Sequence, residues 1–277
     1  MGDMKPYLPL VPLLLAAALP LSAATVYEWT FDAGNLSAAA GNGTMSTVGA
    51  ATPGSIAFST TNGGSVPHIG GVAASYLSVP AFPVGLNGLQ LTFGDSGPNG
   101  GGAYLNQYTI LMDIYSPGAA GWQALMNTDP NNTNDADWYI SDSGGLGIGA
   151  LGYSANNAVS QNTWHRIAMS ADLASGTVKY YVDGTLVRTR TGTSLLDGRF
   201  AIYTNTHAGA DLLLFNESVG GSTHSLLVNS VAFTDQALGD SAIQALGGAS
   251  ANGILVPEPT AAALGLLGAL ALLRRRK

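Results

Sequence analysis

Apolar and polar residues alternate along several short segments in the second half of the chain. The longest is Trp164–Asp172, whose alternate positions form two sets, Trp164, Arg166, Ala168, Ser170 and Asp172 against His165, Ile167, Met169 and Ala171. A period of two is that of a β-strand, in which successive side chains point to opposite faces. We therefore expect a strand here, with the second set facing the core.

Similar segments recur, rich in β-branched and aromatic residues and bounded by Gly, Asn, Asp or Pro. They are Tyr108–Tyr115, Val178–Val182, Leu186–Arg188, Arg199–Tyr203 and Ser225–Phe233. Asp183-Gly184, between two of them, is typical of a two-residue hairpin turn. One helix is expected, at Asp240–Leu246, with Asp240 as its N-cap and Gly247 at its end. The pattern predicts an all-β fold, an antiparallel sandwich with one short terminal helix.

The first 24 residues have the pattern of a secretory signal peptide. Lys5 precedes the apolar stretch Leu8–Leu21, and Ser22-Ala23-Ala24 places small residues before Thr25. We expect export across the inner membrane by the Sec machinery, followed by cleavage between Ala24 and Thr25 by signal peptidase.

The last 22 residues combine three features in a fixed order. These are the motif Val256-Pro257-Glu258-Pro259, the apolar run Thr260–Leu273 and the basic end Arg274, Arg275, Arg276 and Lys277. As a helix, the run rises only about 21 Å, short of the roughly 30 Å hydrocarbon core of a membrane. The basic end is of the kind that stays cytoplasmic. The run is therefore expected to form a short apolar anchor helix.

The order of these three features resembles the PEP-CTERM sorting signal of Gram-negative bacteria. The resemblance implies cleavage near Pro-Glu-Pro by an exosortase-type membrane protease, after a transient inner-membrane anchorage. The protein would then reach the cell surface or the extracellular matrix, and release and reattachment both stay open. Residues 25–247 are predicted to form the folded domain, and residues 248–255 a flexible linker to the sorting signal at 256–277.

Composition narrows the chemistry of the folded part. Cysteine is absent, which excludes disulfides, thiolate metal sites and cysteine nucleophiles. Residues 25–256 contain 15 acidic and five basic residues, a net charge of −10. A domain of this charge is not expected to bind nucleic acid, whereas calcium or neutral glycans suit it.

The predicted central hairpin resembles that of laminin G-like domains. The residues that carry the resemblance are Trp164-His165-Arg166-Ile167, Asp172, and Val178 to Gly184. This family lies in the concanavalin A-like superfamily of jelly-roll sandwiches, and the resemblance implies that fold. It also implies that the opening Tyr27–Asp32 forms a first strand beside the last one. The superfamily contains lectins, hydrolases, adhesive modules and spacers, so the fold alone does not give the function.

The sequence offers little support for catalysis. Glycosidases on this fold carry two carboxylates at alternate positions of one strand. Residues 25–256 contain only two glutamates, Glu28 and Glu217, which lie on distant segments. The pair Asp135 and Asp137 lies among asparagines typical of a loop. The four histidines are scattered, His165 is expected to be structural, and no Gly-x-Ser-x-Gly motif occurs. The chain is therefore predicted not to be an enzyme.

Two sets of oxygen ligands are candidates for calcium. The first is an Asp/Asn-rich segment with oxygen ligands at alternate positions, Asp129, Asn131, Asp135 and Asp137. It does not have the EF-hand pattern, and a polar hairpin loop explains the same residues. The second, suggested by the fold, is Asp32 after the first strand and Asp235 after the last, if the two approach one another.

Aromatic residues next to this segment are candidates for stacking on sugar rings, although strand tryptophans commonly belong to a core. They are Trp122, Trp138 and Tyr139. The leading hypothesis is an exported, non-catalytic surface or matrix protein that binds extracellular polysaccharide, with calcium as a candidate cofactor. A polysaccharide-processing enzyme and a structural matrix protein without a ligand remain alternatives.

Overall fold

The fold is described from a computed structural model of the chain. It describes residues 26–49, 55–59, 66–83, 85–93, 96–118, 121–128, 136–192, 195–202, 212–216 and 224–254. Both predicted sorting segments lie outside these ranges. Within the described ranges, no helix is long and apolar enough to cross a membrane.

The described residues form antiparallel strands and one short helix, numbered here along the chain. The strands are β1 Val26–Trp29, β2 Thr44–Val48, β3 Ala57–Ser59, β4 Tyr76–Val79, β5 Gly88–Thr92, β6 Gln107–Tyr115, β7 Gln123–Asn127, β8 Asp137–Ile140, β9 Leu146–Ile148, β10 Gly152–Tyr153, β11 Trp164–Asp172, β12 Thr177–Val182, β13 Thr185–Thr191, β14 Leu212–Leu214 and β15 Leu226–Thr234. The helix is α1 Asp240–Leu246.

The strands form two sheets that pack face to face. The first sheet has the order β13-β12-β11-β6-β15-β4-β3, and β1 pairs with β15 beside β4. The second has the order β10-β9-β8-β7-β14-β5-β2. Four of the seven strand pairings in the first sheet and three of the six in the second join strands that are distant in sequence, as in a jelly-roll sandwich. The all-β fold class is confirmed, and the expected pairing of the first strand with the last is also confirmed.

The central hairpin forms as the sequence predicts. Strand β11 has the predicted bounds, and Ile167 and Met169 face the core between the sheets. Asp183 and Gly184 have φ angles of 50° and 76°, the left-handed pair that a two-residue turn of this type requires. The predicted strand Arg199–Tyr203 is wrong over its described part. There the backbone turns, with Ala201 N–H bonded to Gly198 O, and only Ile202 pairs, as an isolated bridge to Leu105.

The core between the sheets is rich in aromatic rings. Phe233 on β15 stacks on Phe93, with ring centroids 3.9 Å apart, and also on Tyr108 of β6 at 6.0 Å. Trp138 of β8 stacks on Tyr180 of β12 at 6.5 Å and so joins the two sheets. Aromatic pairs of this kind stabilise a core beyond the apolar area that they bury.

The outer face of the first sheet is also covered, by α1 and the chain that follows it. Ile243 of α1 packs on a patch of small and aromatic side chains, Leu111, Ala168, Tyr181 and Ala232. The N-cap of α1 is Gly239 rather than the predicted Asp240. Asp240 is the first helical residue, and its carboxylate accepts hydrogen bonds from Lys179 (2.6 Å) and Tyr181 (2.8 Å), which attach the helix to β12.

Residues 248–254, which we call the C-terminal strap, cross the same outer face. The sequence predicts a flexible linker here, but the strap packs on the sheet and Ile254 is fully buried. Its anchor is a buried ion pair between Arg166 of β11 and Asp113 of β6, joined by two hydrogen bonds of 2.7 Å. The Ser250 N–H donates to Asp113 (2.9 Å), and Arg166 donates to Gly253 O (3.1 Å). These charges satisfy polar backbone groups that would otherwise be buried without partners.

The end of the strap also rests on Glu28 of β1, whose carboxylate accepts the N–H of Ile254. Burial raises the pKa of Glu28, and the hydrogen bond from Ile254 and the charge of Arg166 offset this only in part. The folded state therefore favours the protonated form of the Glu28 carboxyl more than the unfolded chain does. Relative to the unfolded chain, the ionised form costs stability, and this cost grows as the pH rises from the unfolded pKa through the folded pKa.

Glu28→Gln is expected to increase the free energy of unfolding at about pH 7. Glutamine keeps an oxygen that accepts the Ile254 N–H but carries no charge to desolvate. At pH values below both pKa values of Glu28 the wild-type carboxyl is neutral, so the gain should shrink. Urea denaturation of both proteins at about pH 7 and about pH 4 measures the difference. A variant less stable than wild type at pH 7 would show that the charge itself holds the strap.

Candidate functional site

An aromatic surface lies on the outer face of the second sheet. Its centre is Trp122, which directly precedes β7, and 39% of this residue is exposed. The Trp122 ring contacts Tyr153 of β10 and Tyr139 of β8 edge to face, with centroids 5.5 Å and 6.0 Å away. We call Trp122, Tyr139 and Tyr153 the aromatic platform. Two ring contacts fix the tryptophan although much of it faces solvent.

The strand register explains why the platform forms. Tyr139 lies opposite Gly147 of β9, and Gly147 lies opposite Tyr153 of β10, so the two tyrosines occupy one row with a glycine between them. On the other side, Tyr139 lies opposite Ala124. A row of large rings separated by small residues leaves room above Gly147 for the ring of Trp122.

A carboxylate lies next to the platform. Asp137 lies two residues before Tyr139 on β8 and so points to the same face. Burial, and then the nearby negative charge of Asp137, raise the pKa of Tyr153 to about 12. The Tyr153 hydroxyl therefore keeps its proton at neutral pH. The surface thus combines ring faces with a hydroxyl donor, groups with which proteins contact sugars.

Trp138 is not part of this surface. The sequence makes it a candidate for sugar stacking together with Tyr139, but it is fully buried and stacks on Tyr180. Adjacent residues of a strand point to opposite faces, so only one of this pair can reach the platform. The candidate role of Trp138 is therefore wrong, and Tyr153, which the sequence analysis missed, takes its place.

The predicted pairing of Asp32 and Asp235 is wrong. In the antiparallel ladder, Val26 lies opposite Thr234 and Trp29 opposite Val231. Asp235 therefore lies beyond the beginning of β1, whereas Asp32 follows the end of β1. Because the end of one antiparallel strand lies beside the beginning of its partner, the two carboxylates are at opposite ends of the ladder.

The other calcium candidate lies largely outside the described residues. Asp129, Asn131 and Asp135 are outside them, and Asp137 is inside. Over the part of the chain that the structure describes, no group of three or more His, Asp or Glu side chains is arranged to hold a metal ion. Calcium at this segment stays a prediction.

The buried carboxylates of the described residues have structural partners. Asp113 is paired with Arg166, and Glu28 with the backbone of Ile254, and the strap covers both. Both carboxylates are buried, whereas hydrolysis of a glycosidic bond requires two acids that face a bound sugar. Glu217 and Asp135 lie outside the described ranges.

A second polar arrangement, which the sequence analysis did not predict, joins Ser160, His165 and Asp183. The Ser160 Oγ lies 2.7 Å from His165 Nε2, and His165 Nδ1 lies 2.7 Å from Asp183 Oδ2. Strand pairing brings the last two together, because Ile167 of β11 lies opposite Val182 of β12 and Asp183 follows directly in the turn. Ser160 comes from the turn before β11, and no sequence motif marks it.

The fold and this surface define a two-sheet jelly roll with an exposed aromatic site. Residues 98–244 match the laminin G family described as "Concanavalin A-like lectin/glucanases superfamily". The match covers more than half of the chain, and the chain belongs to this family. No curated protein sequence matches it.

Solved structures of similar fold come from larger proteins and isolated domains. One is domain 4 of AbnA, a GH43 extracellular arabinanase from Geobacillus stearothermophilus in complex with arabinotriose, at 18% identity and a TM-score of 0.49, covering 81% of this chain and 99% of that one. Another is the binding domain of botulinum neurotoxin serotype G, at 11% identity and a TM-score of 0.51, covering 79% of this chain and 50% of that one. The second likeness, at a TM-score above 0.5 and 11% identity, concerns the fold alone.

Proposed function

We propose that the protein is an exported surface or matrix protein whose laminin G-like module binds glycan without cleaving its glycosidic bonds. The observation that carries the proposal is the aromatic platform. Among the four tryptophans of the chain, Trp29, Trp138 and Trp164 are buried, and Trp122 alone is exposed. An exposed tryptophan held by two tyrosines presents a fixed apolar surface, so binding costs little side-chain entropy.

The absence of glycosidase activity is part of the proposal. It is supported by the structural partners of Glu28 and Asp113 and by their cover, the C-terminal strap. The acidic composition supports a neutral glycan as the ligand, because the net negative charge of residues 25–256 would repel a polyanionic glycan.

The cellular route is proposed from the chain ends. Residues 1–24 would direct Sec export and be removed by signal peptidase. The motif Val256–Pro259 would be cut by an exosortase-type protease in a Gram-negative bacterium, after anchorage through the apolar run that follows it. Because Ile254 is anchored in the folded domain, the proposed cleavage motif begins two residues beyond a buried side chain.

Trp122→Ala is expected to weaken glycan binding at least about tenfold, because it removes the only exposed tryptophan of the platform. The probes are soluble dextran, arabinan, xylan and galactan, with binding measured by calorimetry in the presence of calcium and in the presence of chelator. The matched control is Leu186→Ala on β13, since Leu186 is also 39% exposed but belongs to the other sheet.

Three outcomes would contradict the proposal. Equal loss of binding in both variants would mean that the platform is not the site. Release of sugars from any probe by the wild-type protein would favour a polysaccharide-processing enzyme. No binding to any probe, with calcium or with chelator, would favour a structural matrix protein.

A further inference from the structure

Ser160, His165 and Asp183 form a hydrogen-bonded chain at the end of the first sheet where β11 begins and β12 ends. Ser160 is exposed, His165 is nearly buried, and the Asp183 side chain is 40% exposed. Each of the two links is 2.7 Å long. The order hydroxyl, imidazole, carboxylate is the one in which a histidine can take the proton of a serine.

The backbone holds the carboxylate in place. The N–H of Arg166 donates to Asp183 Oδ1 at 2.9 Å, which leaves Oδ2 for His165. Burial alone would raise the pKa of Asp183, but the hydrogen bonds from His165 and from the Arg166 N–H outweigh it and lower that pKa. Asp183 is therefore ionised at neutral pH and accepts the proton on Nδ1.

One tautomer of His165 satisfies all of these contacts. The Ser160 N–H points at Nε2 from 3.2 Å, so Nε2 must carry a lone pair and Nδ1 must carry the proton. The hydroxyl of Ser160, at 2.7 Å from the same Nε2, can then only donate to it. The hydroxyl proton of Ser160 is thus directed at His165 Nε2, and the Nδ1 proton of the same imidazole is bound by the carboxylate of Asp183.

One backbone group beside Ser160 suits an ester substrate. The N–H of Gln161, the residue after the serine, has no hydrogen-bond partner among the described residues, and this position supplies an oxyanion donor in many serine hydrolases. Asn162, Thr163, Trp164 and Asp183 line a surface groove of about 450 Å³ on the Asp183 side of this chain of hydrogen bonds, and Ser160 and His165 are not among its lining residues. Because Ser160 lies in an exposed turn, a short acyl group carried on a larger alcohol is the ester that reaches it.

We propose that Ser160 is a nucleophile for short-chain acyl esters, with His165 as its general base and Asp183 as the residue that positions the imidazole. The proposed activity concerns ester bonds and does not rest on the proposed glycan binding. The aromatic platform and this serine belong to different sheets or to the turns beside them, so each can be lost without the other.

The chemical step is balanced within these groups and water. Ser160 Oγ bonds to the ester carbonyl carbon while its proton passes to His165 Nε2. The carbon–oxygen bond to the alcohol then breaks, and the leaving oxygen takes that proton. Water repeats the sequence on the acyl-serine, which releases the carboxylic acid and restores the hydroxyl.

The test is labelling of the purified full-length protein with a fluorophosphonate probe, followed by peptide mass spectrometry, together with p-nitrophenyl acetate hydrolysis. We expect the probe on Ser160, and loss of both signals in Ser160→Ala. The control is Ser175→Ala, since Ser175 is another exposed turn serine, but its hydroxyl donates to the carbonyl of Asp172 and faces no imidazole.

Asp183→Asn separates catalysis from structure. Asparagine accepts the left-handed turn conformation, so the fold should remain, but its amide favours the wrong imidazole tautomer. We expect labelling to fall at least about 100-fold with little change in melting temperature. Three results would each overturn the proposal: no labelling of Ser160 in the wild type, labelling no faster than at Ser175, or unchanged labelling in Asp183→Asn. Each would mean that the hydrogen bonds among Ser160, His165 and Asp183 have a structural role only.

Discussion

Arg166→Met is expected to lower the free energy of unfolding by about 3–5 kcal/mol, because it leaves the fully buried Asp113 without its countercharge. The guanidinium makes two hydrogen bonds to Asp113 and also donates to Leu246 O (2.6 Å) and Gly253 O. Methionine fills much of the same volume, so the loss reports the uncompensated charge and the orphaned carbonyls more than a cavity. Urea denaturation of the variant and of the wild type measures it.

The exposed ion pair on the same sheet is the matched control. Lys179→Met removes the partner of Asp240, and both of those side chains reach solvent, so its effect should be far smaller. The double variant Arg166→Met, Asp113→Leu should recover part of the loss, since no buried charge remains, although the Ser250 N–H then lacks its acceptor. An Arg166→Met effect no larger than that of Lys179→Met would contradict the described anchorage of the strap.

Trp138→Ala is expected to destabilise the protein by about 3–5 kcal/mol, because Trp138 fills the space between the sheets against Tyr180. Trp122→Ala should leave the stability close to that of the wild type, since much of Trp122 already faces solvent. Thermal and urea denaturation of the two variants compare the two tryptophans directly.

The same pair of variants separates stability from binding. Trp138→Ala should keep the glycan affinity wherever it remains folded, whereas Trp122→Ala should lose affinity and keep stability. A Trp122→Ala variant as unstable as Trp138→Ala would mean that the platform is part of the core. Binding by Trp122→Ala at wild-type affinity would show that the aromatic platform is not the glycan-binding site.

The central hairpin was predictable because its signals are local. The sequence of β11 has a period of two, and Asp183-Gly184 is a strong signal for a tight hairpin turn. The strap was not predictable in the same way. Its Gly- and Ala-rich sequence is that of a linker, and only the buried charges of Arg166 and Asp113, on strands distant in sequence, make it an ordered part of the fold.

The candidate site was predictable in part. Trp122 and Tyr139 were found from their position beside the Asp/Asn-rich segment, but Tyr153 was missed because it reaches them only through the pairing of β8, β9 and β10. Trp138 was wrongly included although the alternation of a strand separates it from Tyr139. The link between Ser160 and His165 depends on the path of one turn, which no spacing rule encodes.

Glycan binding at Trp122 is tested most directly by NMR of the four indole N–H groups during titration with the tightest-binding probe polysaccharide. Trp29 and Trp138 are buried, and the Trp164 N–H donates to Pro67 O at 2.8 Å, so the four signals report distinct environments. We expect the Trp122 signal to shift on binding and the signals of Trp29 and Trp138 to stay unchanged. Saturable binding that leaves the Trp122 signal unmoved would contradict it.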